Sequence, residues 1–423
     1  MRIQNYKELA QSDLREKAFQ IVNAGLEAID TERAVRNGIR LEGNTFFVRD
    51  EKFSLTGVEK IHVVGFGKVS LDACKALEEV LGDRLDGGIC LDVREGDLKK
   101  IQVLVGTHPF PSEDNERATK EIIEFLSGLT EKDFVIFVIS GGGSTLLVQP
   151  EGMSVEDEVE TLKALFVGGA NIEEMNTIRK HVSHARGGWL ARHVYPASSL
   201  SLIFSDVPGD DVQVISSGPT VKDGTTMEDA RRVMKRYKVS LPNEAIFETP
   251  KEEKCFKNAK HVIFVSNKIA LGAMEEKAKE LGMSPDIRET ALQGEAQDVG
   301  KKVLGDLRKA SSGDVLLYGG ETTVTISGDG KGGRNQEVSL GALSGVEDGE
   351  LLLPFASDGR DNTDFAGGVC DILTKKKAER MDLSPEEFLK NNDSFHFFER
   401  VGSALILGRT GSNVSDLIIA MKA

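Results

Sequence analysis

One glycine-rich segment carries an arginine and two glutamates in a spacing suited to an anionic ligand. The segment is Leu316–Glu337, LLYGGETTVTISGDGKGGRNQE, and it begins in an apolar run. Glycine lets a backbone approach a ligand closely and reach positive φ. The planar guanidinium of Arg334 matches phosphate or carboxylate oxygens. We therefore predict an anion-binding loop, whose polar side chains are Glu321, Arg334, Asn335 and Glu337.

A second candidate is the turn GFGK, residues 65–68, which lies between an apolar strand and a helix. Lys68 is a cation within a glycine turn that includes Gly67, so it could neutralise a phosphate. The alternative is a tight strand–helix turn with a solvated lysine. As a dinucleotide fingerprint the turn is poor, because Ser70 takes the place of the third glycine, although Asp92 ends the next strand.

A third glycine turn, SGGGST, follows the most apolar strand of the chain. Ligands of open α/β sheets bind at the carboxyl ends of the strands. We predict a phosphate or carboxylate cradle formed by Ser140, Gly141, Gly142, Gly143 and Ser144. A serine nucleophile at Ser144 is a weaker interpretation, since Leu146 stands where a GxSxG motif needs its last glycine.

Basic residues are concentrated in NTIRKHVSHARGG, residues 176–188. Arg179 and Lys180 are the predicted anion-binding residues of this segment. For His184 and Arg186 we favour a solvated helix face, and His181 could be a core residue or a ligand.

Three aspartates, Asp206, Asp210 and Asp211, follow another apolar run. Clustered carboxylates suit Mg²⁺, which prefers oxygen ligands. The alternative is an acidic turn that caps a helix. Two more loops are rich in glycine, hydroxyl and carboxylate groups: residues 356–368, and residues 408–417, for which we predict a turn before a helix. Taken together, the loops favour metal-assisted phosphoryl transfer.

The elements that must position these loops are alternating apolar strands and amphipathic helices. Such alternation predicts parallel sheets covered on both faces. We predict two three-layer α/β/α domains, the first Rossmann-like with a mainly parallel sheet and the second with a mixed sheet. The predicted bounds are 1–240 for the first domain, 241–260 for a polar link and 261–423 for the second domain.

Composition excludes several classes of function. The 423 residues carry a net charge of −15 without a long basic block, which argues against nucleic acid as a partner. Four scattered cysteines form no CxxC pair, which argues against a zinc site or a disulfide framework. The chain shows neither a signal-peptide pattern nor a membrane-spanning apolar run, so we expect a cytoplasmic protein without a membrane partner.

Taken in order, the motifs resemble those of the glycerate 2-kinases, a family once named hydroxypyruvate reductases, with its MOFRL-type C-terminal domain. The resemblance covers nearly the whole chain and rests on GFGK, THPFP, SGGGST, NTIRKHVSHARGG, SDVPGDD, SSGPT, GGRNQE, SDGRDNTDFAGG and GRTGSNVSDL. The chain departs from the family pattern by lacking a glycine near Asp361 and by having Arg409 where a smaller residue is common.

The resemblance implies phosphorylation of D-glycerate to 2-phosphoglycerate, with ATP and Mg²⁺, in a cleft between two domains. It implies catalytic roles for Lys68 and Arg334. We add Asp206 as a metal ligand or proton acceptor, and Asp210 and Asp211 as metal ligands. The expected partners are the two small substrates, and a homodimer is the assembly considered. The alternatives are an NAD(P)H-dependent hydroxypyruvate reductase and a non-catalytic binding protein for hydroxy acids.

Overall fold

The computed structural model describes residues 1–241 and 245–423. The predicted link at 241–260 therefore includes three residues, 242–244, that lie outside the described residues. The strands are β1 (Ile39–Glu42), β2 (Thr45–Val48), β3 (Glu51–Ser54), β4 (Lys60–Phe66), β5 (Leu85–Asp92), β6 (Ile101–Val105), β7 (Asp133–Ser140), β8 (Ser198–Phe204), β9 (Ala259–Val265), β10 (Ser284–Leu292), β11 (Asp314–Gly320), β12 (Glu350–Ala356), β13 (Gly367–Gly368), β14 (Cys370–Asp371), β15 (Ala404–Leu405) and β16 (Asp416–Lys422).

The helices alternate with these strands over most of the chain. They are α1 (Tyr6–Leu9), α2 (Asp13–Ala28), α3 (Thr31–Gly38), α4 (Ser70–Leu81), α5 (Glu113–Ser127), α6 (Gly143–Leu146), α7 (Val155–Val167), α8 (Ile172–His181), α9 (Trp189–Val194), α10 (Met227–Tyr237), α11 (Asn267–Glu280), α12 (Ala296–Lys309), α13 (Arg334–Leu343), α14 (Ile372–Arg380), α15 (Pro385–Lys390) and α16 (Ser394–Val401). Among the helices of the described residues, none is long and apolar enough to cross a membrane.

The parallel-sheet unit comprises Thr31–Ser205 and Asp210–Phe264. Its main sheet has the strand order β6-β5-β4-β7-β8-β9, and the neighbouring strands from β6 to β8 run parallel. Every residue of β7 is buried, so both faces of the sheet are covered. The order is that of a doubly wound fold, whose switch point lies between β4 and β7. This confirms the predicted Rossmann-like character.

The mixed-sheet unit comprises Met1–Asp30, Asp206–Gly209 and Val265–Ala423. Its sheet has the order β10-β11-β16-β12-β13-β15, with β14 also pairing with β12. The first pair is parallel, whereas β16 is antiparallel to both β11 and β12. All residues of β12 are buried, as expected for a sheet covered on both faces. The predicted mixed sheet is thus confirmed.

The bounds of the two units differ from those predicted. Strand β9, assigned from sequence to the second domain, extends the sheet of the first. The N-terminal residues 1–30, assigned to the first domain, belong to the mixed-sheet unit. There the buried Arg15 of α2 binds Asp371 at 2.6 Å, and Gly25 lies against Met274 of α11. An ion pair and a close helix contact over such sequence distances cannot be read from local patterns.

Local structure differs from the sequence interpretation near the C-terminal strand. The residues after the turn at 408–415 form the central strand β16 rather than a helix, because the apolar run LIIAM pairs on both sides with other strands. The run TVTIS, residues 323–327, forms only an isolated bridge at Thr323. Helix α2 is capped by the side chain of Ser12, which accepts from the amide of Arg15.

Candidate active site

Gly67 brings the turn after β4 into contact with the end of β7. It has φ +119°, and a Cβ atom at this position would lie 2.1 Å from Ser140 Oγ and 2.6 Å from Ser140 O. The next residue, Lys68, donates its amide to Gly141 O at 3.0 Å. Only a glycine permits this approach, so the GFGK and SGGGST turns form one surface at the switch point of the sheet.

The side chain of Lys68 is exposed on that surface. Its Cγ and Cε would lie 3.1 Å from a Cβ built on Gly142, and His108 Cδ2 would lie 3.3 Å from the same Cβ. Desolvation of the imidazole and the charge of Lys68 lower the pKa of His108 to about 4. Within the part of the chain that the structure describes, the ammonium group of Lys68 has no carboxylate partner, so it can bind an anion.

The SGGGST turn is held in place by the loop Ile215–Gly218. Ser144 Oγ bonds to Ser217 Oγ at 2.9 Å, and Ser216 Oγ donates to Ser140 O at 3.0 Å. Ser216 and Ser217 both have left-handed φ, 51° and 60°, which is costly for non-glycine residues and concentrates at functional sites. The amides of Gly143 and Ser144 stand in the first turn of α6, where a helix offers no internal acceptor.

Arg179, on α8, lies near this turn and shares a pocket with Ser144. It donates to Asn176 Oδ1 at 3.2 Å, and Asn176 also accepts from Ser217. Burial and the neighbouring charge of Arg186 lower the pKa of Arg179 to about 10. Since no carboxylate among the described residues forms an ion pair with it, Arg179 keeps the predicted capacity to bind an anion.

Lys180 has a different environment from the one predicted. It is buried and its Nζ binds Asp223 Oδ1 at 3.0 Å. The charge of Lys180 helps to hold the pKa of Asp223 below its usual range, against the effect of burial. A buried and paired lysine holds the fold together rather than binding substrate, so this assignment is corrected.

The remaining basic residues of this segment also differ from expectation. Arg186, interpreted as solvated, is buried and paired with Glu158 at 2.5 Å. His181 is a core residue whose Nδ1 bonds to Thr177 O at 2.9 Å. His184 stacks on Phe247 with ring centroids 4.1 Å apart. Helices α8 and α9 are separated by a segment that includes Gly187 and Gly188, both with positive φ.

The carboxylate of Asp92 makes structural contacts. Its carboxylate accepts the amide of Leu71 at 2.9 Å at the start of α4, and Arg94 Nε binds it at 3.2 Å. The side chain is fully buried. It therefore cannot reach the ribose of a dinucleotide, which removes the main support for the reductase alternative.

In the mixed-sheet unit, Arg334 begins α13 and is held by two carboxylates. It contacts Glu321 directly and lies 3.2 Å from Asp416 Oδ2 through Nε. Burial of the guanidinium opposes its charge, but Asp416 and Glu321 hold the pKa of Arg334 above its usual range. The guanidinium is thereby fixed in orientation while remaining partly exposed.

Asp416 is the site residue that sequence reasoning missed. It opens β16, where it pairs with Gly320 of β11 and Ala356 of β12. Its position in the sheet register thus joins the loops that follow those two strands. Burial, partly offset by Arg334, raises the pKa of Asp416 to about 7. The only sequence signal was its place in the motif GRTGSNVSDL.

Asn335 and Glu337 point into the protein and not to the Arg334 guanidinium. Asn335 Nδ2 donates to Asp416 Oδ1 at 2.8 Å, and Glu337 accepts from Asn392 at 3.0 Å. Both side chains are buried, and burial raises the pKa of Glu337. Both side chains therefore make supporting contacts, and their predicted substrate contacts stay predictions, whereas Glu321 lines the pocket beside Arg334.

The loop that follows β12 is built around Asp361. Its carboxylate accepts the amide of Gln336 at 2.9 Å at the start of α13, and a Cβ on Gly333 would lie 2.1 Å from Asp361 O. Asn362 follows with φ 58°. Asparagine tolerates this left-handed conformation, which explains how the loop is kept without the glycine that the family pattern has there.

The three candidate metal ligands do not form a cluster. Asp206 lines a polar pocket of about 120 Å³ with Glu321, Arg334 and Asp358, and Ser415 Oγ donates to its carbonyl at 2.5 Å. Asp211 is exposed and caps the amide of Gln213, and Asp210 belongs to the other unit. Over residues 1–241 and 245–423, no three His, Cys, Asp or Glu side chains are grouped so as to hold a metal ion.

Comparison with known proteins identifies relatives of the whole chain. Residues 17–248 match the domain of unknown function DUF4147, and residues 314–416 match the MOFRL family. The chain is 37% identical to the glycerate 2-kinase of Pyrococcus horikoshii, over 97% of both chains. It superposes on the crystal structure of a glycerate kinase from Thermotoga maritima with a TM-score of 0.89 and 34% identity, covering 97% of this chain and 99% of the other.

One relative that matches a smaller share of the chain has a different name. The chain is 37% identical to a putative hydroxypyruvate reductase of Agrobacterium vitis, over 84% of this chain and 85% of that protein.

Proposed function

Because the chain belongs to the glycerate 2-kinase family, we propose that it transfers the γ-phosphoryl group of ATP to the 2-hydroxyl of D-glycerate. The products are 2-phosphoglycerate and ADP. The observation that carries this proposal is the surface formed by Lys68 and the SGGGST turn at the switch point of a parallel sheet. It offers the exposed ammonium group of Lys68, hydroxyls and amides to a phosphate chain.

Lys68 neutralises charge on the transferred phosphoryl group. Phosphoryl transfer depends mainly on positioning and on charge stabilisation. The side chain lies against Gly142, so its position is fixed by the same turn whose amides and hydroxyls hold the phosphates. Arg179 adds a second positive charge to this surface.

Arg334 contributes a fixed guanidinium to the same reaction. Glu321 and Asp416 hold its orientation, so the residue loses little side-chain freedom when the substrate binds. A planar guanidinium can bind two oxygens of a phosphoryl group or of the glycerate carboxylate.

Mg²⁺ would be held by few protein groups. The pocket beside Arg334 presents carboxylate oxygens of Asp206 and Asp358, which are the donor type that Mg²⁺ prefers. The lack of a three-carboxylate cage in the described residues fits an ion that binds through one or two carboxylates and substrate phosphates. When bound, Mg²⁺ neutralises charge on the phosphate groups of ATP. Asp206 is the ligand that we propose, and it can alternatively accept the proton of the substrate hydroxyl. Nothing in the geometry favours Asp210 or Asp211.

The test is an assay with D-glycerate and MgATP in which 2- and 3-phosphoglycerate are separated. We expect 2-phosphoglycerate, and we expect Lys68→Met to lower kcat by about a hundredfold or more. The matched control is Lys120→Met, at an exposed lysine of α5, which should keep wild-type rates. Formation of 3-phosphoglycerate alone would contradict the proposed position of transfer. Oxidation of NADPH with hydroxypyruvate, without phosphoglycerate, would contradict the kinase proposal itself.

A further inference from the structure

A second pocket lies within the parallel-sheet unit, next to the SGGGST turn. Its volume is about 290 Å³, close to the lower end of the roughly 300–1,000 Å³ common for small-molecule sites. Ser144 and Thr145 border it on one side. Phe110, from the loop after β6, and Phe166, from the end of α7, belong to its walls.

The walls of this pocket are unusual for a protein surface. Phe110 is 54% exposed and Phe166 is 72% exposed, yet both line one cavity together with Leu162 and Met175. Exposed apolar side chains that converge on a cavity mark a binding site more often than scattered ones do. D-glycerate is polar on every side and would gain nothing from these walls.

The lining of the pocket also carries positive charge. Arg179 lines it, and no carboxylate of the described residues forms an ion pair with that guanidinium. Arg186 lies nearby but is already neutralised by Glu158. A bound anion would therefore compensate the charge of Arg179 and accept a hydrogen bond from the hydroxyl of Thr145. The hydroxyl of Ser144 instead donates to Ser217 Oγ, whose own proton goes to Asn176.

The lining of this pocket adjoins the turn that contacts Lys68. Ser144 follows Gly142 by two residues, and Gly142 lies against the side chain of Lys68. A ligand with apolar rings at one end and a chain of phosphates at the other could thus extend from the phenylalanines to Lys68. A nucleoside triphosphate has that shape and that distribution of charge.

We propose that this pocket binds the nucleoside end of ATP, with the base against Phe110 and Phe166 and the first phosphate at Arg179. The inference rests on the proposed kinase function and adds to it the subsite for the nucleotide. It also explains why no carboxylate of residues 1–241 and 245–423 forms an ion pair with Arg179, because an internal ion pair would compete with the phosphate.

Calorimetric titration of the full chain with MgADP, adenosine and inorganic tripolyphosphate tests this subsite. The variants are Phe110→Ala, Phe166→Ala and their combination. Loss of a base–aromatic stack should weaken MgADP and adenosine binding about tenfold for each ring, while tripolyphosphate binding stays unchanged. The matched control is Val167→Ala, which lies beside Phe166, is 86% exposed and does not line the pocket.

Arg179→Gln tests the polar end, and it should weaken MgADP and tripolyphosphate alike without changing adenosine binding. Arg179 is partly buried, so the exposed phenylalanine variants keep the test decisive if that variant fails to fold. MgADP affinity in the double phenylalanine variant equal to that of Val167→Ala overturns the proposal. So does a changed oligomeric state of that variant with unchanged nucleotide affinity, which would assign the apolar walls to self-association.

The failure of this inference is distinguishable from failure of the kinase proposal. If the wild type phosphorylates glycerate and the phenylalanine variants retain its KM for ATP, the kinase proposal stands and the subsite is wrong. If the variants weaken MgADP binding but the wild type phosphorylates no glycerate, the subsite stands and the substrate assignment is wrong.

Discussion

The close approach at Gly67 gives a prediction whose magnitude follows from the structure. Replacing Gly67 with alanine forces a side chain into φ +119° and puts its Cβ 2.6 Å from the backbone oxygen of Ser140. Ser140 Oγ, at 2.1 Å, can rotate away, but the carbonyl oxygen is part of the end of β7 and cannot. One of the two turns must therefore move.

Two unfavourable free-energy contributions add in the Gly67→Ala variant. A control substitution at a second glycine separates them. Positive φ in a non-glycine residue costs about 1–3 kcal/mol, and overpacking costs a further 1–3 kcal/mol, roughly. Gly57 has φ +85°, and no atom of the described residues lies within 4 Å of a built Cβ, so Gly57→Ala should incur only the first cost. At about 2–4 °C per kcal/mol for a unit of this size, Gly67→Ala should unfold about 2–12 °C below Gly57→Ala.

Activity should separate the two variants further. Lys68 follows Gly67 directly, and a displacement of about 1 Å at a reacting group can cost roughly a hundredfold in rate. Thermal unfolding and initial rates with glycerate and MgATP measure both effects. The double variant Gly67→Ala, Ser140→Gly should recover only part of the loss, since the carbonyl contact remains. If Gly67→Ala matched Gly57→Ala in both unfolding temperature and kcat, the argument for a fixed Lys68 would be refuted.

Three further predictions concern charged groups. Arg334→Ala should lower kcat by about a hundredfold or more, because a preoriented cation is lost, and near-normal turnover in initial-rate assays would contradict that role. Lys180→Met should destabilise the protein by about 3–5 kcal/mol, since it leaves the buried Asp223 unpaired. The double variant with Asp223→Asn should recover much of this in denaturant titrations, and an unchanged stability of Lys180→Met would restore Lys180 as a ligand residue. Asp416 has a folded pKa of about 7 against an ordinary 3.8, so the folded state binds its proton more tightly than the unfolded state. The associated stability is complete below pH 3.8 and is lost as the pH rises to 7, by at most roughly 4 kcal/mol. Asp416→Asn should therefore unfold with a smaller change between pH 5 and 8 than the wild type, and equal changes would contradict the shift.

Local patterns predicted the elements that carry most of the candidate site. The apolar runs at β4, β7 and β11 and the glycine turns that follow β4 and β7 could be read from the sequence, because strand periodicity and glycine conformation are local properties. The pattern failed at β16, since its run LIIAM fits a buried helix as well as a buried strand. The short antiparallel sheet of β1, β2 and β3 also went unpredicted.

Contacts between residues far apart in the sequence decided the rest of the candidate site. Among the described residues, Lys180 is neutralised while Arg179, its neighbour in sequence, forms no ion pair. This difference depends on where Asp223 folds, 43 residues from Lys180. The partner of Arg334 lies 82 residues further along the chain, and the register of β16 between β11 and β12 brings it there. Composition and local sequence do not show which basic residue of the segment 176–188 will form an ion pair, because the partner lies far away in the chain.

By itself the sequence determined the two α/β units, the parallel and mixed character of their sheets, and the loops where chemistry is concentrated. Backbone propensity and the burial of apolar runs act over a few residues, so they can be predicted from short stretches of the sequence. Only the tertiary structure decided which cations keep a free charge, which carboxylates are buried with raised pKa, and which strands belong to which sheet. Those properties arise from desolvation and from contacts between residues far apart in the chain, and both exist only once the chain has folded.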